Sequence, residues 1–181
     1  MSKFTEVMKD NKPALFVYLI IIFGFIFAGI KTDGDITIKT DIISAGFGIV
    51  TWQLFYFLSQ EILDNNLFSK FCLFALFCLI VRLFCNVVLD IPNFDMLALF
   101  YISIPLLYIF YYRILIFFFF KDYSIENKIT IVFFSKYGSQ SYDGSEIGYK
   151  PSSKEKIFSL LLFLGFMFLV FGLIILIINI S

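Results

Sequence analysis

The chain has 181 residues, 60% of them hydrophobic and 21% aromatic, with 14 basic and 14 acidic side chains and a mean hydropathy of +0.92. Soluble domains hold about 45–50% apolar residues, so this excess cannot be hidden in one small core, and lipid must solvate much of the surface. Zero net charge with no basic stripe excludes a general nucleic-acid binder, and the lack of any His removes the commonest general base and metal ligand.

Five apolar stretches, at about 14–30, 42–60, 68–89, 96–120 and 156–180, predict five transmembrane helices in a single integral membrane domain, 1–181. The expected fold is therefore all-α, a polytopic membrane helix bundle with its N-terminus in and its C-terminus out. The first stretch, Ala14 to Ile30, follows Pro13, which suits a first helical turn. At 1.5 Å per residue it gives about 25 Å of helix, enough to span if Lys12 and Lys31 reach the interfaces. A cleaved signal peptide competes, because Lys3, Lys9 and Lys12 make a positive leader. The apolar run is too long for that, and no small-x-small cleavage site follows it.

The second stretch is the weakest in hydropathy. No charge lies between Asp41 and Glu61, but Ser44, Gly46, Gly48, Thr51, Gln53, Ser59 and Gln60 dilute it. The third contains Arg82. The fourth follows Asp95, a candidate N-cap, and passes Pro105; its lower part, Arg113 to Lys121, is a candidate for bending into the interface. The fifth, Ile157 to Ile180, carries no charge.

Orientation follows from the lysines in the connections. With five spans and the N-terminus inside, ten lysines fall on the inner side and two, Lys31 and Lys39, on the outer. Removing the second span would move the most basic loop outside, so the charge asymmetry supports that span independently of its hydropathy. The cytoplasmic loop, 121–155, has a β-branched half, Lys128 to Phe134, and a half rich in Ser, Gly and Tyr. Tyr137, Tyr142 and Tyr149 are its candidate contact residues, since Tyr, Ser and Gly suit adaptable recognition.

Polar groups within spans face protein rather than hydrocarbon. By helical spacing, Gln53, Tyr56 and Gln60 share a stripe flanked by Trp52 and Ser59 and are expected inside the bundle. Cys78, Arg82 and Cys85 form a second stripe with Asn86 beside it, and Tyr101, Pro105, Tyr108 and Tyr112 a third. Arg82, Gln53, Asn86 and Tyr56 are thus the candidate intramembrane recognition residues. Arg82 either enters an interior cavity or snorkels outward toward Asp90. The three cysteines, Cys72, Cys78 and Cys85, lie in one span and read as packing residues, not a disulfide framework. Gly24-xxx-Ala28 and Ser44-xxx-Gly48, with Gly165 and Gly172 a heptad apart, permit close helix approach. Tyr111, Tyr112 and Arg113 read as an interfacial aromatic and basic belt.

No catalytic, cofactor-binding or metal site is assigned. The spans carry one Arg at depth and no carboxylate, although Asp33, Asp35 and Asp41 outside could hold a cation weakly. Five spans cannot form inverted halves, which weighs against a transporter. The expectation is a non-enzymatic interaction protein, with no cofactor. Its partners would be the lipid bilayer and another membrane protein or membrane-inserted toxin, and no nucleic acid. Small size, residue types with A+T-rich codons and a polar-lined bundle favour an immunity protein against a membrane-acting or pore-forming toxin. An accessory subunit of a membrane complex, or a small oligomeric channel, is the alternative. Absence of a usable glycosylation site or retention signal favours a bacterial inner membrane.

Overall fold

A computed structural model describes residues 12–58, 62, 65–88, 96–121 and 152–180. They are helical throughout apart from short connections. α1 spans Lys12–Lys31, α2 Ile36–Phe57, α3 Asn65–Val88 and α4 Met96–Phe120. The last rod begins as α5 (Ser153–Leu160), passes through a π-helical segment (Leu161–Gly165) and continues as α6 (Phe166–Ile180). Among the described residues three helices are long and apolar enough to cross a membrane: Asn65–Cys85, Met96–Phe120 and Ser153–Asn179. Leu15–Lys31 is apolar but shorter. The chain is thus an all-helical protein with membrane-spanning helices. The outward faces agree with this assignment: Phe23, Phe77, Phe84, Val87, Phe118 and Phe168 are all exposed, with Val87 at 79%. So much exposed apolar surface is stable against lipid, not water.

Two boundaries differ from the sequence reading. α2 starts at Ile36, six residues before the predicted span, with Asp35 in extended geometry at its N-cap. Lys39 and Asp41 are therefore helical. Absence of charge marks what hydrocarbon tolerates, whereas the helix follows backbone hydrogen bonding and runs on beyond it. The last rod also starts early. Ser152 accepts from the Glu155 N–H at 3.3 Å, and the Glu155 carboxylate accepts from the Ser152 N–H at 2.8 Å. This capping box satisfies two orphan donors of the first turn. By contrast α4 runs unbroken to Phe120, so the expected bend after Arg113 does not occur. It stops at Lys121, which takes a left-handed conformation (φ 56°).

Register follows from cross-helix contacts. Tyr18 meets Thr51, and Phe25 lies against Gly46, so α1 and α2 are antiparallel. Gly48 meets Tyr101 and Tyr56 meets Tyr108, so α2 and α4 are parallel. Phe68 meets Phe110 while Asn65 meets Arg113, making α3 antiparallel to α4, and Tyr112 meets Phe158 while Tyr108 meets Phe166, making the last rod antiparallel to α4 as well. Successive helices alternate in direction. α1, α3 and the last rod begin at one end, where Lys70, Arg113, Lys121, Lys154 and Lys156 gather; this is the basic end. α2 and α4 begin at the other.

α4 is the axis. α2, α3 and the last rod all pack against it, and α1 lies outside on α2. Its buried face, including Ile104, Tyr108, Ile109, Tyr112 and Ile116, joins Trp52, Tyr56, Phe158 and Phe166 in one largely aromatic core. Tyr108 and Tyr112 stack at 6.2 Å between ring centroids, and Trp52 lies 5.2 Å from Phe166. Each such pair contributes about 0.5–1.5 kcal/mol beyond the area it buries. In lipid this matters more, because hydrocarbon is as good a solvent for Leu as another helix is, so shape and specific contacts must drive association.

The closest approach depends on one glycine and one proline. Pro105 has no N–H to donate to the carbonyl of Tyr101 four residues earlier. That carbonyl lies directly against Gly48 of α2, where any Cβ would collide with it. The missing side chain on α2 thus accommodates the backbone that the proline leaves uncovered on α4. Of the predicted small-residue pairs, Ser44-xxx-Gly48 is used in this way. Gly24 and Gly172 face open space.

Candidate functional site

Arg82 is the charged group the sequence singles out, and the structure buries it. It is only 8% exposed, and its Nε donates to Ser44 Oγ at 3.3 Å across the interval between α3 and α2. Those two helices meet through long side chains, so a residue of Arg's reach is needed to join them here. Asp41 lies one turn before Ser44 on α2, is half-buried, and interacts electrostatically with Tyr101 of α4. Arg82, Ser44, Asp41 and Tyr101 thus form a polar cluster near the end where α2 and α4 begin. The sequence reading placed Asp41 in an exterior loop and counted no carboxylate within the helices. Because α2 begins at Ile36, Asp41 is a helical residue facing protein. Among the described residues no three acidic, Cys or His side chains converge, and Asp33, Asp35 and Asp41 are not brought together as such a group.

The other arginine marks the basic end. Arg113 Nη2 donates to Ile62 O at 3.0 Å and to Asn65 Oδ1 at 3.1 Å, and its guanidinium lies 4.3 Å from the centre of the Phe68 ring. It ties the α2–α3 connection to α4. Tyr112 is fully buried, and the Tyr111 hydroxyl donates to Leu161 O at 2.7 Å. Of the expected interfacial belt, Tyr112 is buried, while Tyr111 and Arg113 are half-buried and bond to protein. The bond from Tyr111 has a local cause. A π turn holds one residue too many and displaces a main-chain group from its usual partner, and Tyr111 supplies a donor to the carbonyl at the start of that turn. Gly165, at its end, leaves room for the same hydroxyl. The sequence marks Tyr111 only as a belt residue and does not single out the capping box, although Ser152-Ser-Lys-Glu155 carries the box's spacing in full view.

Of the stripes predicted to line the interior, the one on α4 is inside, with Pro105, Tyr108 and Tyr112 buried and Tyr101 half-buried. On α3, Arg82 is buried and Cys78 and Cys85 are half-buried as free thiols, as is Cys72. The α2 stripe divides. Tyr56 is buried against Tyr108 and Phe163, but Gln53 is exposed. A helix turns 100° per residue, so Gln53 is 60° from Tyr56, and the last rod covers Tyr56 without reaching it. Gln53 continues an outward line with Ile38, Ala45 and Ile49, and the described residues supply it no hydrogen bond. Asn86 is on α3, but its side chain lies outside the described set. Ser59, Gln60, Asp90, Asp95, Tyr137, Tyr142 and Tyr149 also lie outside it.

Four polar links among the described residues hold helix to helix. Tyr18 and Thr51 share a bond of 3.0 Å between α1 and α2, Arg82 joins α3 to α2, Arg113 joins α4 to the α2–α3 connection, and Tyr111 joins α4 to the last rod. Trp52 Nε1 is buried without a hydrogen-bond partner among the aromatic rings. Against known protein families, curated proteins and solved structures, the chain finds no match.

Proposed function

We propose that this chain is a non-enzymatic integral membrane protein whose five helical rods all cross the bilayer, N-terminus in and C-terminus out, and whose function is to recognise another membrane-inserted chain. The observation that carries this reading is Gln53. It presents an amide, both donor and acceptor, on the outward face of α2. Tyr56, one residue short of a full turn further along, is level with Phe163 in the apolar stretch of the last rod, so Gln53 lies within the apolar belt and not beyond it. An amide facing hydrocarbon is costly, and a partner helix supplying a complementary group would relieve that cost by about 0.6 kcal/mol on average and up to about 1.7. The axis of the bundle is filled by Tyr108, Ile109, Tyr112 and Phe166 with no exposed surface, which weighs against a pore through one copy.

Within this class, an immunity protein of a bacterial inner membrane, protecting against a membrane-acting toxin, fits best with the small size and with polar groups spent on packing. An accessory subunit of a membrane complex uses the same surface. The test is a photo-crosslinking amino acid at position 53, with position 77 on lipid-facing α3 as control, in cells exposed to the toxin encoded nearest the gene. A specific adduct at 53 and none at 77 is expected. Gln53→Leu is expected to lower protection by about 3- to 18-fold, the factor that this contact energy gives, while Phe77→Leu leaves it intact. Crosslinking to a resident membrane subunit would support the accessory reading, and no protein adduct at 53 would remove the interaction reading.

A further inference from the structure

α1 and α3 flank α2 near the basic end and leave between them a groove of about 320 Å3. Leu15 and Leu19 on α1, Leu54 on α2, and Phe71 and Phe74 on α3 line it. Its lone charged lining residue among those described is Lys70, in the second turn of α3. The hydroxyl of Tyr18, which also borders the groove, is engaged with Thr51. Leu19 and Phe74 are exposed, at 49% and 44%, so the groove opens sideways into the surrounding lipid instead of closing over.

Size and chemistry decide the occupant. Its walls offer only about one helical turn of contact, too short a seat for another helix. A flexible methylene chain fits. The lining runs about one helical turn, from Lys70 to Phe74 and from Leu15 to Leu19, about 6 Å along each axis. It therefore takes the part of such a chain nearest its headgroup. Lys70 stands at the headgroup end, on the same end of the bundle as the start of α1 at Lys12, and a lysine there selects a negative charge.

We infer that this groove binds one acyl chain of an anionic glycerophospholipid, with the phosphate of that lipid against Lys70. The site is independent of the partner surface around Gln53, since it involves a different side of α2.

The test is native mass spectrometry of the delipidated full chain after adding back phosphatidylglycerol or phosphatidylcholine at equal mole ratio. One retained phosphatidylglycerol per chain is expected, preferred about fivefold, which is the contribution of a single lysine near an anionic surface. Lys70→Gln should bring the two lipids to parity, and Lys39→Gln, at the opposite end, should not. Leu19→Trp, which fills the groove from a position already exposed and so leaves the core intact, should reduce retention of both lipids. Equal retention of the two lipids by the unaltered chain, or an unchanged preference in Lys70→Gln, overturns the assignment. So does undiminished retention in Leu19→Trp, or a free fatty acid retained in place of phospholipid.

Discussion

Arg82 shows what one residue reveals in isolation. Sequence position alone marks it as costly, about 2.5–3.5 kcal/mol near the bilayer centre, and leaves open whether it faces inward or snorkels. The structure decides for the interior, because Ser44 and Asp41 stand one turn apart on the facing part of α2. Arg82→Leu is expected to lower stability by about 2 kcal/mol, the range for a hydrogen bond to a charged group. In a double-mutant cycle with Ser44→Ala, unfolding in mixed micelles should give a coupling energy of about 0.6–1.7 kcal/mol. Zero coupling would mean that the two side chains do not meet. Gln53 is the opposite lesson. Its stripe with Tyr56 was legible, but a stripe does not say which neighbour ends where. The last rod is antiparallel to α2 and shields Trp52 and Tyr56 but not Gln53.

At the scale of elements, the apolar runs make all five rods legible, including α2, whose weak hydropathy the lysine asymmetry supports independently. What the runs could not show is how two helices touch. The α2–α4 contact needs Gly48 on one and the proline-released Tyr101 carbonyl on the other, residues far apart in the chain. Gly48→Ala is therefore expected to cost about 1–3 kcal/mol by overpacking, even though alanine is the better helix former. Gly24→Ala, with open space around it, should match or slightly exceed the unaltered protein in the same unfolding assay. If both glycines tolerate alanine equally, the close approach of α2 to α4 is wrong. The π segment was not legible for a related reason. Leu161 to Gly165 reads as ordinary apolar helix, and the tyrosine that meets its first carbonyl arrives from α4, remote in sequence.

The whole molecule is an alternation of rods around α4, with basic residues gathered where α1, α3 and the last rod begin. Five alternating rods, if each crosses the bilayer, place the start of α1 and the end of α6 on opposite sides. Reporters fused before Met1 and after Ser181 should accordingly report opposite compartments, and one inserted within 121–155 should agree with the first. Two terminal reporters on the same side would remove the five-span threading. Composition and periodicity by themselves determined the solvent, the number of helical rods and their basic polarity, because hydrocarbon imposes those terms on any chain of this kind. Only the tertiary structure decided that Asp41 belongs to a helix, that Tyr112 is buried while Tyr111 and Arg113 bond to protein, that Gln53 turns outward, and that a lysine-capped groove opens beside α2. Those outcomes depend on where a neighbouring helix ends or leaves a gap, and a distance of that kind is set by packing between segments remote in sequence.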